Sequence, residues 1–532
     1  MRDISANSIN RFGSANFADP IEIAKAGMFK KAADSLLVGF CGRRPIYYSG
    51  AGGILLTAGA RGGKLRDILS YNLLPGICTS SIVCLDMKGE LGAISQDQTP
   101  DGKFCIYWNA MRLHGLPHHR INPVDFLTIE SPSLISDVKM LCFNLIPPSG
   151  SAQGIYFEGR AREVLEGIIV TLVRKNGVLL LKDLYDIINL IPGGGEKWLD
   201  FAYEMASSGY ALSARVEEEI ATSHESEAGG FKGILGEVFR AVSPLSDPVL
   251  MESVSPPFDF SFADLCQDEQ TYQVYLQVPV EVVDGWAPIL KMFFVGAMVH
   301  KARNPSAPRQ TWILDECAQL GGFPLIAKLF TYGAGIGIRP LAVYQSLDQI
   351  KATAPDAQTI IPASAACRIH FAIRDIGSAT AISQMLGSQT LLFDDLQAQA
   401  GARHAKAQAV SSMMNGQDPM AAMLTYQHQQ ENALRQTKQQ RQLRTPDEII
   451  ATPDNRAYVF ADGLAHPIYA ERKPYWTQRG LHYFPNPYHG SQDRVRVKAW
   501  IGSKWRKVVE RPVEKRFAHY PQYASGLRKV LV

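Results

Sequence analysis

The stretch "LLTAGARGGKL", residues 55–65, limits the possible folds more than any other part of the chain. An apolar run that ends in glycines and a lysine, followed by "LRDILSYNLL", reads as a buried strand, a tight turn and a crossover helix. "SSIVCLDMKGE" supplies the next apolar run, so the segment predicts a βαβ unit in a parallel sheet. In such a turn, backbone N–H groups and a helix N-terminus converge on phosphate oxygens, and a lysine adds a point charge at the β- and γ-phosphates. Ala58, Gly59, Ala60, Arg61, Gly62, Gly63 and Lys64 therefore form a candidate nucleotide loop. Two letters depart from GxxxxGK[ST]: Ala58 replaces the first glycine, and Leu65 replaces the hydroxyl residue that would ligand magnesium. On these residues alone, a phosphate site and a plain glycine turn both stay open.

The chain has 532 residues, long enough for two or more units, and its net charge of +3 does not by itself announce a nucleic-acid or membrane partner. Its eight cysteines form no CxxC pair, the pattern of reduced, buried thiols and not of a zinc site. The N-terminus lacks an apolar core of signal-peptide length, and the most apolar stretches, 168–173 and 293–299, are too short to span a bilayer. The expected location is the cytoplasm, with membrane contact only through a partner.

Further along, Phe157, Ala161, Val164, Leu165, Ile168, Ile169 and Leu172 recur at helical spacing, and residues 150–245 read as an all-α insertion. Strand texture returns in "TYQVYLQVPV", "QTWILDE", "IRPLAVYQS" and "CRIHFAI". The expected division is thus 1–149 and 246–490 as two parts of one α/β domain, 150–245 as the insertion, and 491–532 as a basic extension. The Gln- and Ala-rich segment 397–443 is read as a flexible excursion, with a solvent-facing helix as the alternative. "VRVKAWIGSKWRKVV" alternates like an exposed hairpin, while its lysines, arginines and tryptophans also suit a nucleic-acid backbone.

"QTWILDE" ends in Asp315 and Glu316, where the first acid suits a magnesium ligand and the second a general base for the attacking water. Gln345, at the end of "LAVYQ", is placed to sense a γ-phosphate or to cap a turn. Arg339, Arg368 and Arg374 lie near strand ends, each a candidate to reach a neighbouring subunit's nucleotide or a structural arginine. His118, His119, His482 and His489 lack ligand spacing and read as loop histidines.

The ordered series "GSANFADPIEIAKAG", "GILLTAGARGGK", "VCLDMKGE", "INP", "WILDECAQLGGFPLIAKLFTYGAGIGIRPLAVYQSLDQI", "CRIHFAIRDIGSATAISQMLGSQT", "TPDEI" and "PNPYH" resembles the coupling-protein ATPases of type IV secretion and conjugation. The resemblance implies a RecA-like P-loop NTPase core with a mainly parallel sheet, interrupted by an all-α domain, and a ring of six subunits. It implies ATP and magnesium as cofactors, with Lys64 on the phosphates, Asp315 on magnesium, Glu316 on the hydrolytic water, Gln345 on the γ-phosphate and Arg339 as the loosest match to a trans arginine. Leu65, next to that lysine, lies in the same loop, and Asp86 and Lys88 match the family's "DxKGE" strand end near the site. The implied partners are DNA (a relaxase-bound single strand), secreted protein cargo, a relaxase and the secretion channel. Three readings follow: a coupling-protein-like ATPase; a nucleotide-gated receptor or scaffold with little turnover, which Leu65 favours; and a double-stranded DNA translocase unrelated to secretion. Family members usually begin with transmembrane helices, whereas the matching pattern here starts almost at Met1.

Overall fold

The strands around the glycine loop are mostly apolar along their length and not alternating, so a sheet built from them must be covered on both faces. The computed structural model describes residues 13–149, 151–225, 230–394, 396–414, 419–432 and 436–532. The strands are, in chain order, β1 (Leu36–Cys41), β2 (Arg44–Tyr48), β3 (Ile54–Ala58), β4 (Ile82–Asp86), β5 (Phe104–Trp108), β6 (Tyr272–Gln277), β7 (Gln310–Leu314) and β8 (Ile338–Tyr344). They continue with β9 (Cys367–Phe371), β10 (Ser388–Asp394), β11 (Gln436–Gln442), β12 (Arg456–Ala461), β13 (Ile468–Glu471), β14 (Arg494–Lys498), β15 (Ser503–Pro512) and β16 (Leu527–Leu531).

An 11-stranded sheet has the order β2-β1-β13-β12-β9-β3-β8-β7-β4-β6-β5. From β9 to β5 all neighbours are parallel, while β12, β13, β1 and β2 extend the sheet antiparallel. Every residue of β3, β4, β7 and β8 is buried. Register pairs Thr57 with Tyr344, Leu314 with Ala342 and Leu85 with Leu314, so the C-terminal ends of β3, β4, β7 and β8 share one edge.

The described residues of 150–245 are largely helical: Ala152–Asn176, Leu181–Leu190, Glu196–Ser207, Ala211–Glu225 and Gly230–Val242. The first is capped by Ser151, whose side chain accepts from the Gly154 N–H, and it stops at Gly177 in the left-handed conformation. Ala161, Val164, Leu165, Ile168 and Ile169 on its inner face join the same apolar core as Val83, Trp108 and Trp312 of the sheet. The expected boundaries at 149/150 and 245/246 therefore do not separate compact bodies. The division falls elsewhere: the described parts of 1–18, 374–452 and 465–467 form one compact unit, and the remainder forms the other.

In the smaller unit β10 pairs antiparallel with β11. The Gln-rich segment, expected as a loop, instead forms the helices Leu396–Met414 and Pro419–Asn432 and strand β11. Residues 402–414 carry Ala, Lys, Gln and Met without glycine or proline, so helix propensity decides where no apolar stripe does.

The basic extension is integrated in the larger unit. β14 and β15 form the hairpin that the alternation predicts, and β16, which it did not signal, makes it a 3-stranded antiparallel sheet. Downstream, Gln522 closes the open edge of the large sheet. Its Oε1 accepts from the Cys105 N–H at 2.9 Å, and its Nε2 donates to the Lys103 carbonyl at 3.4 Å. A buried side chain thus takes the place of a neighbouring strand. Gln522→Leu, which leaves the Cys105 N–H without an acceptor, should cost about 1–3 kcal/mol in urea unfolding.

Candidate nucleotide site

The glycine loop leaves β3 at Ala58 and enters a helix at Leu65, whose first turns, Leu65–Leu69, carry π-type bonding. Gly63 has φ +87°, and a Cβ at Gly62 would lie 2.7 Å from the Ala372 Cβ and 2.8 Å from the Gly59 carbonyl oxygen. Only glycine fits both positions. Arg61 takes φ 59°, a conformation that costs a residue with a side chain energy.

A brace with no local signature along the chain holds this loop. Arg472 donates to the Gly62 carbonyl and to Asp67 Oδ2, both at 2.7 Å, and also bonds the Asp454 carbonyl. Its guanidinium lies 3.8 Å from the centre of the Phe371 ring. The Arg472 and Asp67 side chains are 1% and 0% exposed, so this is a fully desolvated ion pair. Behind the loop, Thr57 and His370 Nδ1 are 2.6 Å apart. Burial depresses the His370 pKa to about 3, so the ring is neutral.

Lys64 reaches the ends of the neighbouring strands, 252 positions along the chain, where its Nζ bonds Glu316 Oε1. Asp315 Oδ1 lies 3.4 Å from the same Nζ without hydrogen-bond alignment, and is a buried oxygen with no hydrogen-bond donor. Gln345 Nε2 donates to Glu316 Oε2 at 3.0 Å. Burial works against the Lys64 charge, but Asp315 and Glu316 outweigh it and keep its pKa above the ordinary value. Asp315 is pushed up to about 6, chiefly by burial, with Lys64 opposing and Glu316 and Asp86 adding to the shift. Glu316 sits at φ 54° and ψ 46°, a backbone departure at the residue aimed into the cleft.

Asp86 is buried and accepts from the N–H groups of Leu91 and Gly92 at 3.3 and 2.8 Å and from Gln277 Nε2 at 3.1 Å. Burial raises its pKa despite these bonds. It ties the end of β4 to β6 and the following helix. Lys88 is exposed, and its side chain lines the same cleft of about 1360 Å³ as Ala60, Lys64 and Glu316.

Arg339 corrects the reading that made it a trans arginine. It sits at the start of β8, the strand end remote from Gln345, and is 0% exposed. Its guanidinium donates to the Gly50 carbonyl at 3.1 Å, to Thr311 Oγ1 at 2.9 Å and to the Asp34 carbonyl. Arg368 stacks on Phe460 at 5.3 Å, and Arg374 belongs to the smaller unit. His118 and His119 accept from the N–H groups of Asn109 and Tyr107 at 3.1 and 2.9 Å, so both serve the loop after β5.

Leu65, the odd letter of the loop, joins an apolar cluster with Tyr71, Tyr475, Tyr483, Val495 and Val497. The position that would otherwise offer a hydroxyl is thus part of an apolar cluster shared with β14 of the basic extension.

The sequence profile of a family described as "Type IV secretory system Conjugative DNA transfer" matches residues 7–498. Protein VirD4 of Rhizobium radiobacter is 24% identical over 343 residues, which is 63% of this chain and 48% of that protein. The conjugal transfer protein TraG of Escherichia coli is 22% identical over 429 residues, 76% of this chain and 62% of that one. The chain thus spans about half the length of VirD4 and under two thirds of TraG. Among solved structures, the bacterial conjugative coupling protein TrwBdeltaN70 in complex with sulphate aligns with a TM-score of 0.59 at 15% identity, covering 88% of this chain and 96% of that one. Plasmid coupling protein TrwB in complex with ADP and Mg2+ aligns with a TM-score of 0.58 at 15% identity over 86% and 94% of the two chains. At these identities the likeness is one of fold, an α/β architecture consistent with a RecA-like core.

Two outcomes follow from the geometry. Arg472→Ala leaves the buried Asp67 carboxylate to Arg66 alone and the Gly62 carbonyl without this donor, and should cost about 1–3 kcal/mol in chemical unfolding, part of it recovered in the Arg472→Ala/Asp67→Ala double variant. The Asp315 pKa lies above its unfolded value, so its charged form costs stability once pH rises through about 6 and costs nothing below about 4. In the nucleotide-free protein Asp315→Asn should gain on the natural chain across that window by up to about 3 kcal/mol, measured as the difference between two unfolding series against pH.

Proposed function

We propose, from the premise that this chain belongs to the type IV secretory system conjugative DNA-transfer family, that it is a coupling-protein-like ATPase that brings cargo to a secretion channel. The observation that carries the ATPase reading is the meeting of Lys64, Asp315, Glu316 and Gln345 in front of a glycine loop at one sheet edge. Cargo is DNA, as a relaxase-bound single strand, or secreted protein, or both. The working form is a homo-hexamer with nucleotide at the subunit boundary, held at the inner face of the cell membrane through a partner. Among the described residues no helix is long and apolar enough to cross a membrane.

The residues present fit ATP with magnesium. Lys64 is the phosphate ligand, and in the nucleotide-free protein the two acids hold its charge in place. When a triphosphate draws the ammonium away, Glu316 Oε1 becomes free to take a proton from water, while the bond from Gln345 keeps the carboxylate oriented. The undonated Asp315 Oδ1 suits a magnesium ligand, directly or through water. Bound magnesium would neutralise phosphate charge at that edge. Leu65 supplies no hydroxyl for it, and this favours the second reading, a receptor that is gated by nucleotide but turns it over slowly.

Phosphate release, with and without single-stranded DNA, tests the proposal. Lys64→Ala should remove binding and turnover together. Glu316→Gln should keep ATP binding while lowering turnover by about 10²–10⁴-fold. Release at the Lys64→Ala level in every assembly state, with ATP still bound, would replace the motor by the gated receptor.

A further inference from the structure

Facing the phosphate loop across the cleft is the basic extension of the same chain. Trp476, Arg494, Arg496, Lys498 and Trp505 line the same cavity of about 1360 Å³ as Lys64 and Glu316. That volume exceeds the roughly 300–1,000 Å³ of ordinary small-molecule sites, so a nucleotide fits beneath this wall without displacing it.

The hairpin of β14 and β15 is fixed over the loop. Val495 and Val497 pack into the apolar cluster that also receives Leu65. Tyr483 donates from its hydroxyl to the Arg496 carbonyl at 2.6 Å. Alternation along β14 turns Arg494 and Arg496 to the opposite face, where both are exposed. Arg494 lies 4.9 Å from the centre of the Trp505 ring, and Trp505 and Trp476 are 59% and 44% exposed.

Charge decides what this wall suits. On the loop side Lys64 is already matched by Asp315 and Glu316, while Arg66 and Arg472 share Asp67. From 475 to 505, the described residues lining the cleft include three cations and no carboxylate. A triphosphate brings several negative charges, and to Arg61 and Lys88 of the loop side the hairpin adds Arg494, Arg496 and Lys498 as cations in the lining. The two exposed tryptophans offer planar faces for a base.

We propose that Arg494 and Arg496 of the extension bind the phosphates of the nucleotide held by the same chain's loop, with Trp505 beside its base. The role sought in Arg339 thus passes to cations supplied in cis. The inference rests on the nucleotide reading above, and Leu65 is its structural counterpart: the residue that gives up a hydroxyl seats the hairpin that brings the arginines.

The test is calorimetric titration of the full chain with MgATP and MgADP. Arg494→Ala/Arg496→Ala should weaken MgATP binding about 10- to 100-fold, and MgADP less. Arg506→Ala/Lys507→Ala removes the same charge from hairpin residues outside the cleft lining and should leave affinity within about twofold. Thermal melts of both variants should match the natural chain. As an independent readout, Trp505→Phe should abolish most of the ATP-induced change in tryptophan fluorescence. If the natural chain binds no MgATP, the nucleotide reading fails and the inference with it. If it binds, Lys64→Ala abolishes binding and Arg494→Ala/Arg496→Ala binds as tightly as the natural chain, the hairpin role alone is wrong.

Discussion

Lys64 between the carboxylates of Asp315 and Glu316 is the interaction on which the rest of the site depends. It requires β3 and β7 to end at the same edge, although β8 lies between them. Parallel register meets that requirement, since Thr57 pairs with Tyr344 and Leu314 with Ala342. A slip of one residue would turn each side chain to the other face of the sheet and part the lysine from its acids. The continuous burial of these strands makes such a slip costly, so the packing that stabilises the fold also aims the chemistry.

Around that centre, polar groups are placed by burial and not by solvent. Arg472 and Asp67 are both removed from water, and together with the Gly62 carbonyl they fix the loop from behind. Asp315 resists ionisation because it is buried beside Glu316 and Asp86, and Lys64 relieves only part of that cost. Such a site is poised: its charges are balanced internally until a more highly charged ligand offers the lysine a better partner. The strained backbone at Glu316 belongs to the same arrangement.

The extension alters how the departure at Leu65 is to be understood. Read along the chain, leucine after the loop lysine is a lost magnesium ligand. In three dimensions it belongs to the apolar cluster that also takes Val495 and Val497 of the arginine-bearing strand. The same extension covers the β5 edge through Gln522 and sets Arg528 on Asp97 at 2.8 Å, so it is part of the larger unit's structure.

Much of this was legible in sequence, for physical reasons. The apolar run into "AGARGGK", the strand ending in Asp315 and Glu316 and the run ending in Gln345 are local signals, because strand ends and glycine turns write themselves into a few adjacent residues. The helical nature of 150–245 followed from the 3.6-residue period, and the hairpin at 494–512 from alternation. Tertiary structure alone decided that Arg339 is buried at the far end of β8 and that Arg472 braces the loop from 410 positions away. It alone decided, too, that the basic extension lines the same cleft as Lys64 and Glu316. Period and composition report which face of an element is apolar, but an ion pair between distant elements leaves no periodic trace. Which end of a strand meets the site is set by the crossovers and register of the whole sheet.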